Sequence, residues 1–254
     1  MYKALITDLD GTAVKISSDG SDVDGITSYA VKLAQQRGAK LACATGREWE
    51  LAQPVIERFG FISPCIIEGG TRIVEPATGE TLWEKYLAAD IPMDILAIFQ
   101  REAESGTLMI SADTTRQPLH AVDVVPDRLR FMYLLAVSEQ VATRICNVIN
   151  VSGVAIAHMT PSWDGGGLVD IHVTHVEATK EHAIQIWQEM ERVSKEETIG
   201  LGDSGNDLPI FQSAGFKVAV ENATPELKQL ADYIAPSVDE DGLAHVIDRF
   251  LLQP

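Results

Sequence analysis

Asp8-Leu9-Asp10-Gly11-Thr12 places two carboxylates two residues apart, directly after the apolar run Ala4-Leu5-Ile6. In an extended segment, residues i and i+2 share a face, so both acids point the same way. Close carboxylates repel unless a proton or a cation sits between them. A hard cation such as Mg2+ suits such oxygen donors. Gly11 lets the backbone turn and approach an anion closely. The same residues also fit a plain Asx-turn at the end of a strand.

Three more groups have a chemical and a bland reading. Gly202-Asp203-Ser204-Gly205-Asn206-Asp207 again sets acids after an apolar run, Thr198-Ile199-Gly200-Leu201. Asp203 can reach a metal, and Asp207 can support it from one helical turn further on. Otherwise Asp203 or Ser204 is a helix cap. Thr45-Gly46-Arg47 offers a hydroxyl and backbone N–H groups beside a helix start, a setting that holds phosphate oxygens, or a capping Thr. Lys180 falls in the first turn of a helix, where the macrodipole disfavours a cation. That mismatch hints at a partner elsewhere; a solvated surface lysine is the alternative.

The elements that position these groups alternate. Residues 4–7, 40–45, 64–68, 197–201 and 216–220 read as buried strands, and residues 22–37, 47–58, 179–192, 224–231 and 240–252 as helices. Strand–helix alternation predicts an α/β fold with a Rossmann-like parallel sheet, whose ligands bind beyond the carboxyl ends of strands. Asp8, Thr45 and Glu68 fall at such ends. Between them the rhythm changes. Ile73-Val74 and Thr81-Leu82-Trp83 read as a hairpin around residues 76–80. Residues 91–104 and 139–150 look helical, and residues 108–110, 129–137, 154–158 and 168–173 look like strands. This predicts an α+β domain at 85–177 inserted into a core of 1–84 and 178–254.

The bulk numbers set limits. With 254 residues and 46% apolar content, the chain can bury a sizeable core. A net charge of −17 without a basic run argues against nucleic acid or anionic lipid as partners. In so acidic a protein, any phosphate site must be made locally positive. Three cysteines, Cys43, Cys65 and Cys146, suggest neither a disulfide framework nor a metal-ligand spacing, which fits a cytoplasmic setting. The first residues do not read as a signal peptide, and no apolar stretch of about 18 residues predicts a membrane span. A monomer or homodimer is expected.

Taken together, D-x-D-G-T, T-G-R, a lysine and G-D-x-x-N-D, in this order, resemble the haloacid dehalogenase superfamily of phosphohydrolases. Within it the chain is similar to the Cof-type group, which carries a large cap between the threonine and lysine motifs. Val169-Asp170-Ile171, residues 214–223 and Ala231-Asp232-Tyr233 also look like that group. The resemblance implies that Asp8 is a nucleophile forming an aspartyl-phosphate, and that Asp10 is general acid, then general base. It implies Mg2+ held by Asp8, the backbone carbonyl of Asp10 and Asp203. Thr45, Gly46 and Lys180 would bind phosphate, with Asn206, Asp207 and Arg47 in support. The substrate would be a small phosphate monoester, such as a sugar phosphate. A phosphomannomutase-type phosphotransferase and a non-catalytic phosphosugar sensor share most of these residues. Glu68-Gly69-Gly70-Thr71 departs from the group's Glu-Asn-Gly-Ala, so contacts of that Asn are not carried over. Thr12-Ala13-Val14-Lys15 lacks the usual leucines. Substrate choice is expected from the inserted domain, with His120, Arg130, His158, Trp163 and Asp164 as candidates.

Overall fold

The computed structural model describes residues 2–111, 116–162 and 165–253. The chain divides into two compact units, Met1–Trp83 with Thr179–Pro254, and Glu84–Ala178. In chain order the strands are β1 (Ala4–Thr7), β2 (Lys40–Cys43), β3 (Cys65–Ile67), β4 (Arg72–Val74), β5 (Thr81–Glu84), β6 (Thr107–Ile110), β7 (Arg116–Pro118), β8 (Phe131–Ser138), β9 (Ala155–Pro161), β10 (Leu168–His175), β11 (Thr198–Gly202), β12 (Phe216–Val220) and β13 (Tyr233–Ala235). The helices are α1 (Gly25–Gln36), α2 (Trp49–Phe59), α3 (Ile91–Glu102), α4 (Glu139–Ser152), α5 (Lys180–Glu191), α6 (Leu208–Ser213), α7 (Pro225–Leu230) and α8 (Gly242–Ile247).

The first unit is built on a parallel sheet ordered β13-β12-β11-β1-β2. All four residues of β1 are buried, as expected of a central strand covered on both faces. The register pairs Thr7 with Leu201 on one side and with Cys43 on the other. The three strands therefore end level, and the residues that follow each of them line one edge. From β1 the chain runs outward to β2 and later returns on the other side through β11, β12 and β13. β1 thus lies at a topological switch point, where open α/β sheets bind ligands.

Local chemistry sets the helix starts. Asp24 accepts the Thr27 amide at 2.7 Å to cap α1, and Thr179 accepts the His182 amide at 3.2 Å to cap α5. Gly60, at φ 73°, closes α2 in the left-handed conformation. The core of this unit packs Leu5, Ile6, Leu41, Ile56, Ile66 and Trp187. Cys43, Cys65 and Cys146 are buried free thiols.

The second unit has an antiparallel sheet ordered β7-β6-β8-β10-β9. Leu108, Met132, Leu134, Ile171 and Val173 form one core with Ile95 and Phe99 of α3 and Ile145 and Ile149 of α4. The intervening strand residues face the other way. A bulge between Val169 and Ile171 sets Ala136 at φ 58°, and the buried Asp170 carboxylate accepts the Ala136 amide at 2.8 Å.

Some elements differ from the sequence expectation. β3 pairs with β4 in a separate three-stranded sheet ending in β5, and an isolated Ala44–Ile66 bridge is its tie to the parallel sheet. β7 is a short strand without an apolar signature, and β13 is an apolar strand of only three residues. The C-terminal helix is broken: α8 ends at Ile247, and a wide π turn follows over Asp248–Leu252. Trp163 and Asp164 lie outside the described residues. Among the described residues, no helix is long and apolar enough to cross a membrane.

Candidate active site

Asp8 is the first residue beyond β1, and its amide donates to the Leu201 carbonyl at 3.0 Å. Asp203 follows β11 in the same way. Lys180 begins α5, and its Nζ lies 2.9 Å from Asp8 Oδ1 and 3.1 Å from Asp207 Oδ1. All three side chains are nearly buried. Asp207 uses its other oxygen differently: Oδ2 accepts the backbone amides of Asp203 at 2.9 Å and Ser204 at 3.2 Å. One carboxylate thus shapes the turn after β11 and grips the lysine. Asn206 is exposed on that same turn.

Glycines permit this closeness. A Cβ on Gly202 would lie 2.5 Å from the Cβ of Asp207, and one on Gly11 would lie 2.7 Å from Asp203 Oδ2. Gly70, at φ +103°, packs its Cα on the start of α5, where a Cβ would stand 2.4 Å from the Lys180 backbone nitrogen.

Charge is unbalanced here. Asp8, Asp203 and Asp207 each bring a carboxylate oxygen within 4.8 Å of the others, with one ammonium among them. Burial first, then repulsion from Asp207 and Asp203, pushes Asp8 up to about 7 against the attraction of Lys180. Burial and Asp207 push Asp203 up to about 6, opposed by a 3.0 Å hydrogen bond from Thr12 Oγ1. Burial alone would lower Lys180, but Asp8 and Asp207 outweigh it and hold the ammonium above its ordinary value. The ion pair therefore favours a charged lysine, while the crowding of carboxylates leaves negative charge uncompensated. That excess, presented by hard oxygen donors, fits a divalent cation.

The Asp10 carboxylate is held apart from this cluster. Arg47 binds it through a fork, Nε to Oδ2 at 2.8 Å and Nη2 to Oδ1 at 2.6 Å, and the Ser17 amide adds 2.8 Å to Oδ1. Thr45 is buried and accepts the Arg47 amide on its hydroxyl at 3.1 Å. Gly46 is exposed and faces open space. The loop after β3 ties in by backbone: Glu68 N donates to Arg47 O at 2.8 Å, and Gly69 N to Thr45 O at 3.0 Å.

Some supports carry no sequence signal of their own. Thr12 hydrogen-bonds Asp203. Asn222 Nδ2 donates to the Gly11 carbonyl at 2.7 Å, while its Oδ1 accepts Val238 N at 3.0 Å. Both lie in stretches that stand out by resemblance, but one sequence does not reveal their partners.

In the second unit, His120 is exposed in a short turn. Arg130 lies 3.6 Å from Glu84. His158 Nε2 is 3.3 Å from Nδ1 of His172. His172 is a finding of the structure. It is 2% exposed and stacks on Tyr133 at 4.2 Å, with Nε2 buried and unpartnered. Its only sequence signal is strand alternation with Asp170 and Thr174.

Known proteins are similar to this chain in sequence and fold. The chain is 38% identical over 81 residues to a phosphoglycolate phosphatase of Methanothermobacter thermautotrophicus, a match spanning 32% of this chain and 37% of that protein. It is 25% identical over 260 residues to phosphoglycolate phosphatase 1 of Saccharolobus solfataricus, covering 99% of this chain and 96% of that one. A haloacid dehalogenase-like hydrolase from Bacteroides thetaiotaomicron superposes with a TM-score of 0.76 at 19% identity, over 98% of this chain and 99% of that one. The family model for haloacid dehalogenase-like hydrolases matches residues 5–118 and 139–247, which include Asp8, Thr45, Lys180 and Asp203. With an acid after β1, a lysine and a second acidic turn gathered at one sheet edge, the chain belongs to the haloacid dehalogenase-like hydrolases.

Proposed function

We propose that this chain is a Mg2+-dependent phosphatase that hydrolyses small phosphate monoesters through an aspartyl-phosphate on Asp8. The observation that carries this is Lys180 Nζ held between Asp8 and Asp207, with Asp203 alongside, at the carboxyl edge of a parallel sheet. The phosphatase names of its relatives agree with it.

Asp8 attacks phosphorus, and the bond to the leaving alcohol breaks. Asp10 gives that alcohol a proton, then takes one from the water that attacks phosphorus and releases phosphate from Asp8. Lys180, Thr45 and the Gly46 backbone hold the phosphoryl oxygens. Asp8, Asp203 and the Asp10 backbone carbonyl would hold Mg2+, steadied by Asp207. Bound there, it would supply positive charge that favours an ionised Asp8 and offsets phosphoryl charge. The inserted unit selects the substrate, with His120, Arg130 and His158 as its candidate contacts.

Phosphate release over a broad panel of phosphorylated metabolites with Mg2+ tests the proposal. Turnover is expected for alkyl monoesters, and Asp8→Asn is expected to lower it by about 10³-fold or more. Full activity in Asp8→Asn would sink the mechanism. Isomerisation of a sugar phosphate without net phosphate release would mark a mutase, and a complete lack of turnover would mark a sensor.

A further inference from the structure

We infer that Arg47 is a positioning residue for the acid step, fixing the Asp10 carboxylate so that Oδ2 is the atom that carries the transferred proton. This rests on the reading of Asp10 as general acid. Arg47 is 9% exposed at its side chain, against 33% for Asp10. Four of its five N–H donors are engaged. Besides the two bonds to Asp10, Nη1 donates to the carbonyls of Ser18 at 2.6 Å and Leu51 at 3.1 Å. The two bonds to backbone carbonyls anchor the fork independently of Asp10. Two parallel bonds from that fork in turn fix the plane of the carboxylate.

The two Asp10 oxygens are not equivalent. Oδ1 accepts from Arg47 Nη2 and from Ser17 N, whereas Oδ2 accepts from Arg47 Nε. A carboxylate oxygen offers about two acceptor sites. Among the described residues, Oδ1 has two donors and Oδ2 has one, so Oδ2 keeps one acceptor site. Ser17 reaches Oδ1 from φ +62°, a left-handed conformation that strains a non-glycine residue. The 15–18 loop therefore accepts strain in the shape that presents this amide. Lysine at position 47 would keep the charge but lose the planar fork.

The acid step has a kinetic signature. An alkoxide leaving group needs a proton, whereas p-nitrophenolate leaves without one. Phosphoenzyme formation should be measured in single turnovers for Arg47→Lys, Arg47→Gln, Asp10→Asn and Arg47→Gln/Asp10→Asn. The substrates are p-nitrophenyl phosphate and an alkyl monoester, glucose 6-phosphate or the best alkyl substrate of the panel. Both Arg47 variants are expected to slow the alkyl reaction by about 30-fold and the aryl reaction by less than about threefold. In the double variant, the Arg47 substitution should add little to Asp10→Asn, because it acts through that carboxylate. Equal losses on both substrates, tracking a lowered melting temperature, would show a merely structural staple and overturn the inference. So would an unchanged alkyl rate in Arg47→Gln where Asp10→Asn is impaired. If Asp10→Asn itself shows no alkyl-selective loss, the assignment of Asp10 as acid fails, and the inference falls with it.

Discussion

Lys180 sits in the first turn of α5, the worst place for a cation by helix electrostatics alone. Its two carboxylate partners resolve the mismatch, since ion pairs at 2.9 and 3.1 Å outweigh a macrodipole effect of about 0.3–1 kcal/mol. Removing the ammonium leaves Asp8 and Asp207 buried and uncompensated. Lys180→Met is therefore expected to destabilise the fold by about 3–5 kcal/mol in urea unfolding without divalent cation. Its turnover should fall by about 10²–10³-fold, as when a stabilising donor is lost from a charged transition state. Undiminished stability would show that the pair contributes little. At Asp203, the Asn variant keeps the shape and loses the charge. The Mg2+ concentration for half-maximal activity is expected to rise about tenfold or more, and an unchanged Mg2+ dependence would remove Asp203 from the metal set.

Elements place these residues through close backbone contact. The loop after β3 leans on α5 at Gly70, where a Cβ would come within 2.3 Å of the Thr179 carbonyl carbon. Gly70→Ala cannot be absorbed by a rotamer change, because the obstacle is backbone and φ is +103°. Helix α5 must shift, taking Lys180 with it. A cost of about 1–3 kcal/mol is expected, with a fall in kcat that excess Mg2+ does not restore. Gly25, at the start of α1, has nothing within 4 Å of the place a Cβ would take, and its φ is not positive. Gly25→Ala should leave activity unchanged and raise stability by up to about 1 kcal/mol. Equal effects of the two substitutions would contradict this account of the β3–α5 contact.

For the molecule as a whole, buried titratable groups make stability depend on pH in opposing directions. Asp8 and Asp203 are raised from 3.8 to about 7 and about 6, so the folded chain binds more protons than the unfolded one in that window. Their effect makes the fold more stable as pH falls from 7 toward 4. His172 acts oppositely. Burial, then His158, holds it well below its ordinary 6.5, so below that pH the unfolded chain takes the proton first. Its stabilising effect is complete above 6.5 and is lost as pH falls, by up to about 1.4 kcal/mol per unit. His172→Phe removes this titration and the buried unpartnered Nε2. Relative to the parent, the variant should gain stability between pH 7.5 and 5.5 in urea unfolding. A constant difference across that range would refute the burial argument.

The sequence by itself determined the α/β class, the strands that carry Asp8, Thr45 and Asp203, and the family resemblance. Buried parallel strands are continuous apolar runs, and acids and glycines directly after them stand out against that background. The same local signals miss β7, which has no apolar run, and β13, whose apolar run is only three residues long, and join the helix that breaks after Ile247. Only the tertiary structure decided which long-range partners meet. Lys180 finds Asp8 across 172 residues, Thr12 finds Asp203 across 191, and Arg47 finds Asp10 across 37. Sheet register and helix packing bring these pairs together. Neither is written in local periodicity, which records the face a residue occupies and not the residue it meets there.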